Sequence, residues 1–223
     1  MRKTVNCILG MVAAVLLACT VHVSADSFAA SVTAKPAPVI IAAGGRAGEP
    51  MVEIVNADDR NLHNFDVASV VVTSVAEKDG NHVEEAVQTA LTEVYEQLSA
   101  PEVKLSEVMP GLTGAVEKAA VENRAMKALN VDTLVVKDLF NVSVSAELKT
   151  VLQEEGNFLK LTFEPKLGEN QLLIVMVCVD GEWLCVDYVL NEDGTITCMF
   201  DKVGTVAFLV NADMMAEEAK TLG

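Results

Sequence analysis

Apolar and polar residues follow two different periods along this chain, and the changes of period predict its elements. Between 51 and 77 two runs rich in β-branched residues, MVEIV and VASVVVTSVAE, predict strands. Residues 81–100 change to a helical period, and a second helix is predicted over 111–129, after Pro110. The apolar stripe of the first predicted helix consists of Val83, Val87, Leu91, Val94 and Leu98.

The second half of the chain returns to the pattern of strands. Six short runs, each ended by Gly, Pro, Asn or Asp, predict antiparallel strands joined by tight turns. The predicted fold class is therefore α+β: a strand-and-helix segment at 51–130, then an antiparallel β-sandwich-like (Ig-like) module at 131–212. A polar tail follows at 213–223. The Ala-, Pro- and Gly-rich residues 26–50 predict a flexible spacer, with a short edge strand at 39–41 as the alternative.

The first 25 residues carry the features of a secretory signal peptide. Arg2 and Lys3 precede the short apolar run ILGMVAAVLLAC, and the small residues of VSA follow it. Cleavage after Ala25 would release a secreted protein. The tetrapeptide LLAC also resembles a bacterial lipobox, in which Cys19 is lipidated and holds an accessory lipoprotein on the outer face of the membrane. The pattern favours release and leaves lipidation as the alternative.

A strong excess of acidic residues limits the partners. The whole chain has a net charge of −16, and loss of the signal peptide leaves 14 basic against 32 acidic residues, a net charge of −18. Nucleic acids and anionic lipids bind clustered Lys and Arg, so we expect no nucleic-acid partner and membrane contact only through the signal peptide or a lipid on Cys19. Two acidic stretches, NADDRN (56–61) and NEDG (191–194), lack calcium-loop spacing and predict turns.

Residues 178–200, CVDGEWLCVDYVLNEDGTITCMF, are the densest stretch of candidate chemistry. Its cysteines are spaced C-x6-C and C-x12-C, whereas zinc sites commonly use C-x2-C pairs and four ligands. His63 and His82 lie far away in sequence, so no nucleophile with a histidine base can be assigned. The sequence predicts no catalytic residue, no metal site and no cofactor.

The same cysteines can be tested for a disulfide by strand register. A two-residue turn at the Asp-Gly pair 180–181 would place Cys178 opposite Trp183 and leave Cys185 on a diagonal. Diagonal neighbours lie about 7–8 Å apart, beyond the usual disulfide Cα separation of up to about 6.8 Å. If the two predicted hairpins form a meander, Cys178 and Cys198 are not on neighbouring strands. We therefore expect three free cysteines used as small hydrophobic residues.

Trp183 and Tyr188 are the candidate ligand-contact residues. An exposed aromatic side chain on a sandwich can stack on a sugar or anchor a protein partner. In the predicted register Trp183 faces Cys178 and has Met176 on the diagonal, which favours a covered ring. Aromatic residues make up only 4% of the chain, a poor basis for a carbohydrate platform.

The segment from about 67 to 211 resembles a β-rich module of exported and wall-attached proteins of clostridia-like Gram-positive bacteria. The matching motifs are VVKDLF, the hairpins DGEW and NEDGTITCMF, and the closing VAFLV; VMPGL resembles part of the helical segment that often precedes the module. Gly204 and Thr205 stand where Ser-Pro is common in such modules. The resemblance implies an extracellular bacterial protein of undetermined activity and carries no catalytic residue.

These patterns lead to one functional expectation and two alternatives. We expect a non-enzymatic exported protein that binds an extracellular protein or glycan, or serves as a structural module, at or outside the cell surface. The first alternative is an extracellular hydrolase of unrecognised type, and the second is an accessory lipoprotein anchored through Cys19. A concave pocket that holds a nucleophile or an acid–base pair would favour the hydrolase.

Overall fold

The computed structural model of this chain describes residues 40–41, 43–44, 50–74, 85–98, 103–122, 133–165, 167 and 172–211. These residues hold twelve strands, four α-helices and a 3-10 turn at Val67–Ser69. The strands are β1 (Ile40–Ile41), β2 (Ala43–Gly44), β3 (Pro50–Val55), β4 (Asn61–Asp66), β5 (Val70–Ser74), β6 (Leu134–Val144), β7 (Phe158–Phe163), β8 (Leu173–Val179), β9 (Glu182–Cys185), β10 (Tyr188–Leu190), β11 (Ile196–Phe200) and β12 (Thr205–Asn211). The helices are α1 (Glu85–Leu98), α2 (Leu105–Val108), α3 (Pro110–Glu122) and α4 (Ala146–Leu152).

The strands form two antiparallel sheets. Sheet A has the order β5-β6-β12-β8-β9, and sheet B has the order β10-β11-β7-β3. In sheet B, β2 and β4 also pair with β3, while β1 pairs with β7. Every pairing between described strands is antiparallel. The structure confirms the predicted α+β class and the packing of antiparallel sheets.

Sheet A is the middle of three layers. One of its faces packs against α1–α3, and its other face packs against sheet B. Along β8 the side chains alternate between the two cores, with Ile174 and Met176 in the helix-facing core and Val175 and Val177 in the core between the sheets. Because both faces are covered, β8 and residues 206–210 of β12 are apolar without interruption, whereas a sheet with one wet face shows polar residues at every second position.

Four phenylalanine rings fill the middle of the core between the sheets. Phe140 and Phe208 on sheet A meet Phe163 on sheet B at ring-centroid distances of 5.4 and 5.5 Å, and Phe200 lies 6.3 Å from Phe163. All four are at most 1% exposed. The pairs of Phe163 with Phe200 and Phe208 are edge-to-face, and such contacts add about 0.5–1.5 kcal/mol per pair to the burial of the rings.

The strands near the N-terminus are built into both sheets. β3 pairs with β7, with Ile54 opposite Leu159, and β5 pairs with β6, with Val72 opposite Val142. The predicted segments 51–130 and 131–212 therefore share both sheets. Within the predicted spacer, the short strand β1 pairs with β7, which is the alternative that the sequence left open for 39–41.

The helix predictions agree with the structure where residues are described. Helix α1 buries the predicted stripe members Val87, Leu91, Val94 and Leu98 against sheet A and α2. Residues 75–84, which include Val83, lie outside the described residues. Helix α3 begins at Pro110, where a missing amide hydrogen is tolerated.

The two hairpins of residues 178–200 belong to different sheets. The β8–β9 turn has φ angles of 51° at Asp180 and 93° at Gly181, and it pairs Cys178 with Trp183 as the sequence predicted. The two hairpins do not form a meander, because after Cys185 the chain leaves sheet A and β10 pairs with β11 in sheet B.

Candidate functional site: a cleft at one end of the sandwich

A cleft of about 900 Å³ opens at one end of the sandwich. Helix α4 and the loop 153–157 form one wall, and the turns at Asp180 and 201–204 form the other. Four half-buried residues supply its apolar floor: Val144, Phe158, Val179 and Val203. Six exposed charged residues form its rim: Lys149, Glu154, Glu155, Asp180, Asp201 and Lys202. We call this feature the end cleft.

Helix α4 is fixed at both ends. Ser145 caps its start, since the backbone N–H of Leu148 donates to the Ser145 Oγ at 3.3 Å. Leu148 and Leu152 are buried in the core between the sheets. After the helix, the buried Asn157 side chain donates to the carbonyl oxygen of Val151 at 2.9 Å and to Glu154 Oε2 at 3.3 Å. This wall is therefore held in place by capping, apolar burial and side-chain hydrogen bonds.

The opposite wall depends on a close backbone approach at Gly204. A Cβ at position 204 would lie 2.2 Å from the carbonyl oxygen of Cys178, which no side-chain-bearing residue tolerates without movement. The carbonyl oxygen of Gly204 accepts a hydrogen bond from the N–H of Val142 at 2.8 Å. Gly204 thus joins β6 and β8 where β12 begins between them. The packing therefore requires a glycine at 204, a position where the modules that this chain resembles commonly have another residue.

The rim carries charges of both signs. Lys149 on α4 and Lys202 on the facing turn make no ion pair with a described carboxylate, in contrast to Lys160 on sheet B, whose Nζ lies 2.8 Å from Asp59 Oδ1. Two ammonium groups are therefore available at the mouth of an apolar depression. Such a site suits a ligand with an apolar group and polar or charged ends.

No nucleophile with a base is assembled in the described part of the end cleft. Cys178 lines it, but this residue belongs to the helix-facing core. The hydroxyl of Ser143 donates to the carbonyl oxygen of Val71, and that of Thr205 donates to Asn141 Oδ1, both at 3.5 Å. No histidine is among the described lining residues, and the exposed His63 lies on β4 of sheet B. Over the same described ranges, no group of three or more His, Cys, Asp or Glu side chains has metal-site geometry.

The two candidate aromatic contacts lie away from the end cleft. Trp183 is 9% exposed and belongs to the core under the helices, where a Cβ at Gly111 of α3 would lie 3.7 Å from its Cδ1 atom. The ring is covered, as the predicted register favoured, and leaves no open face for a sugar. Tyr188 is half-buried, and its hydroxyl donates to the carbonyl oxygen of Leu173 at 2.8 Å. Burial raises the pKa of Tyr188, and the nearby thiols of Cys198 and Cys185 raise it further.

The three cysteines of this stretch are free thiols, as the register predicted. Cys178 and Cys198 are buried, in different cores, and burial raises the pKa of Cys198 far above its ordinary range. Cys185 is exposed at the edge of sheet A. Partial burial raises the pKa of Cys185, and the carboxylate of Asp187 adds to the increase. A raised pKa lowers the thiolate fraction and hence the reactivity of a cysteine.

Both acidic stretches form hairpin turns. The Asn56 side chain accepts from the N–H groups of Asp58 and Arg60 in the β3–β4 turn. In the β10–β11 turn, the N–H and hydroxyl of Thr195 donate to Asp193 Oδ1 at 3.0 and 2.6 Å. These hydrogen bonds hold the pKa of Asp193 below its ordinary value. An amide side chain holds the first turn, and a carboxylate holds the second.

The signal peptide at 1–25, the candidate lipidation site Cys19 and His82 lie outside the described residues. Sequence reasoning missed the end cleft because its walls come from three separated segments, and only glycines at the turns hinted at close packing there. No helix in the described ranges has the length and apolar character needed to cross a membrane. Comparisons of the chain with protein-family models, curated proteins and solved structures return no match.

Proposed function

We propose that this protein is an exported, non-catalytic binding module that works at or outside the cell surface and holds its partner in the end cleft. The observation that carries the proposal is the cleft itself: an apolar floor inside a charged rim, with no histidine beside a hydroxyl or thiol among the described lining residues. The signal-peptide pattern of residues 1–25 and the resemblance to modules of exported proteins support the location.

The chemistry of the end cleft favours a protein partner over a glycan. Sugar sites commonly offer an exposed Trp or Tyr face, whereas the only aromatic residue on the described floor is Phe158. An apolar side chain of an extracellular polypeptide would rest on the floor. Its neighbouring carboxylates and ammonium groups would meet the lysines and acids of the rim.

The architecture also fits a display scaffold, in which packed sheets hold loops rigid at the ends, as in Ig-like modules. The last seven strands divide into β6-β12-β8-β9 and β7-β11-β10. Lettered A to G, their order is AGCD against BFE, whereas an immunoglobulin constant domain has ABED against CFG. The proposed likeness is one of layers and end loops, with a strand order of its own.

The end cleft can be tested with the dye 1-anilinonaphthalene-8-sulfonate, which has an apolar ring system and one negative charge. We expect saturable, blue-shifted fluorescence with the exported protein. The double variant Lys149→Glu/Lys202→Glu should bind about tenfold more weakly, because each reversal places a negative charge near the sulfonate. Lys118→Glu, an exposed reversal on α3, is the matched control and should bind as the unaltered protein does.

Equal dye binding by the double variant and the control would show that the end cleft is not the site. The non-catalytic part is tested separately with fluorogenic ester, phosphate, glycoside and peptide substrates. If a substrate is turned over, and the double variant loses this activity while the control keeps it, the proposal of a binding module would be replaced by that of a hydrolase.

A further inference from the structure

The outer strand of sheet B is an open edge with apolar side chains. In the described part of the chain β10 pairs only with β11, and its other side has no partner strand. Val189 is 64% exposed and Leu190 is 61% exposed, which are large values for residues inside a strand. Soluble proteins commonly protect such edges with lysine, proline or a bulge. β10 has neither residue, and its register with β11 is continuous.

The backbone of β10 presents hydrogen-bonding groups to the solvent. The N–H of Asn191 donates to the carbonyl oxygen of Thr195 at 2.8 Å, which marks this pair as hydrogen-bonded. Hydrogen-bonded and non-hydrogen-bonded pairs alternate along an antiparallel ladder. Val189 therefore turns its amide groups toward β11, while Tyr188 and Leu190 turn theirs toward the open side. Two N–H donors and two carbonyl acceptors are thus available to an added strand.

Side-chain hydrogen bonds hold both ends of this strand. The Tyr188 hydroxyl is bonded to the carbonyl oxygen of Leu173 on sheet A. At the other end, the Asn191 side chain donates to the hydroxyls of Thr195 and Thr197 at 2.8 and 3.0 Å. A strand that is already ordered loses less conformational freedom when it binds. β10 is therefore pre-organised for pairing.

The charges around β10 select the partner. Residues 172–200 contain five acids and no Lys or Arg. Three of these acids, the exposed Asp187, Glu192 and Asp193, flank β10 directly. A second copy of this chain would bring the same carboxylates to the same edge, and like charges across paired strands are destabilising. An extended segment with flanking Lys or Arg is instead attracted to this edge.

We propose that β10 is a second binding surface, which accepts an extended segment of a basic extracellular protein as an additional antiparallel strand. The backbone groups of Tyr188 and Leu190 pair with the segment, and its apolar residues cover Val189 and Leu190. Lys or Arg residues on both sides of the segment meet the flanking acids. This mode is strand addition, in which main-chain hydrogen bonds give affinity and side chains give selectivity. The surface is separate from the end cleft and does not depend on the function proposed for it.

The probe is the synthetic peptide Ac-KKVTVTVKK-NH2, with Ac-EEVTVTVEE-NH2 as its matched acidic counterpart. We expect the basic peptide to bind the exported protein and to shift the amide NMR signals of Tyr188 and Leu190, and the acidic one to do neither. The double variant Asp187→Lys/Glu192→Lys should weaken binding about tenfold. Glu182→Lys on β9, an exposed reversal outside β10, is the control and should change the affinity by less than about threefold.

Two further measurements separate strand addition from simple charge attraction. A basic peptide N-methylated at every amide of its VTVTV core has no donor for the ladder on either edge, so it should lose most of its affinity, and retained affinity would overturn the proposal. Leu190→Pro removes an outward donor and leaves the β11 ladder intact, so it should abolish binding of the unmethylated peptide without loss of folding. Sedimentation of the protein alone tests whether a second copy of the chain binds at β10. A dimer that Leu190→Pro dissociates would overturn the proposal of a basic partner.

Discussion

Replacing Gly204 with alanine tests the packing that shapes the end cleft. The new Cβ would lie 2.2 Å from the carbonyl oxygen of Cys178 and 3.3 Å from its carbonyl carbon. A carbon–oxygen contact normally relaxes to about 3.3 Å, so the two backbones must separate by about 1 Å. The atom in the way is main chain inside the β8–β12 ladder, where Thr205 pairs with Cys178, and no flexible side chain can move aside.

Overpacking of this kind costs about 1–3 kcal/mol, and the rigid neighbours place Gly204→Ala in the upper half of that range. For a chain of this size each kcal/mol lowers Tm by about 2–4 °C, so we expect a decrease of about 4–12 °C. Denaturant unfolding followed by the fluorescence of Trp183 measures the free energy of unfolding directly. The separation should also widen the turn at 201–204 and change the dye affinity of the end cleft.

The matched control is Gly114→Ala on α3, where a Cβ would meet nothing within 4 Å. This position is inside an exposed helical turn, so the same chemical change should stabilise the protein by about 0.5–1 kcal/mol. Opposite signs for the two glycines are the expected result. If Gly204→Ala unfolds at the same midpoint as the unaltered protein, the close approach to Cys178 does not exist in solution.

Three further predictions concern titration, thiols and processing. In the folded protein Cys185 should be the only thiol of residues 178–200 that iodoacetamide alkylates, because Cys178 and Cys198 are buried. The thiolate is the reactive form, and the raised pKa of Cys185 should move the rise of the rate to higher pH than for an ordinary thiol. Alkylation of all three before unfolding would contradict the burial of Cys178 and Cys198. Carboxyl NMR should show Asp193 titrating below the ordinary value of about 3.9. Its stabilising contribution is present above that value and should be lost as the pH falls through the lower pKa of the folded state. Thr195→Val should move the pKa of Asp193 back up, and an unchanged titration would remove Thr195 as the cause. Intact mass of the exported protein should correspond to cleavage after Ala25, whereas a mass with added fatty acyl chains on Cys19 would establish the lipoprotein.

Local features of the sequence predicted local structure well. The stripe of α1 and the register of the β8–β9 hairpin follow from side-chain period and from the turn chemistry of Asp-Gly. The sheet to which each hairpin belongs did not follow. Because the chain crosses from sheet A to sheet B between Cys185 and Tyr188, hairpins that are adjacent in sequence lie in different layers.

Long-range pairing and the end cleft were out of reach for a related reason. A β-branched run identifies a strand, but it does not identify a partner 70 or more residues away, as in the pairing of Val72 with Val142. The walls of the cleft meet only after both sheets have formed. The sequence showed that Gly204 stands where the modules that this chain resembles commonly have another residue. The reason a glycine is needed there, the nearby carbonyl group of Cys178, is a tertiary contact that the sequence does not show.

The place of β12 in sheet A has a consequence for the order in which the chain assembles. β12 is the last strand that the structure describes, and it lies in the centre of the sheet between β6 and β8. Until it is inserted, β5-β6 and β8-β9 are two separate pairs, and neither the helices nor sheet B has a continuous surface to cover. Each central residue of β12 belongs to one of the two cores, so both cores close in the same step. Assembly of this protein is therefore coupled to the arrival of residues 205–211, and a ribosome-bound chain that stops short of them holds only fragments of the fold.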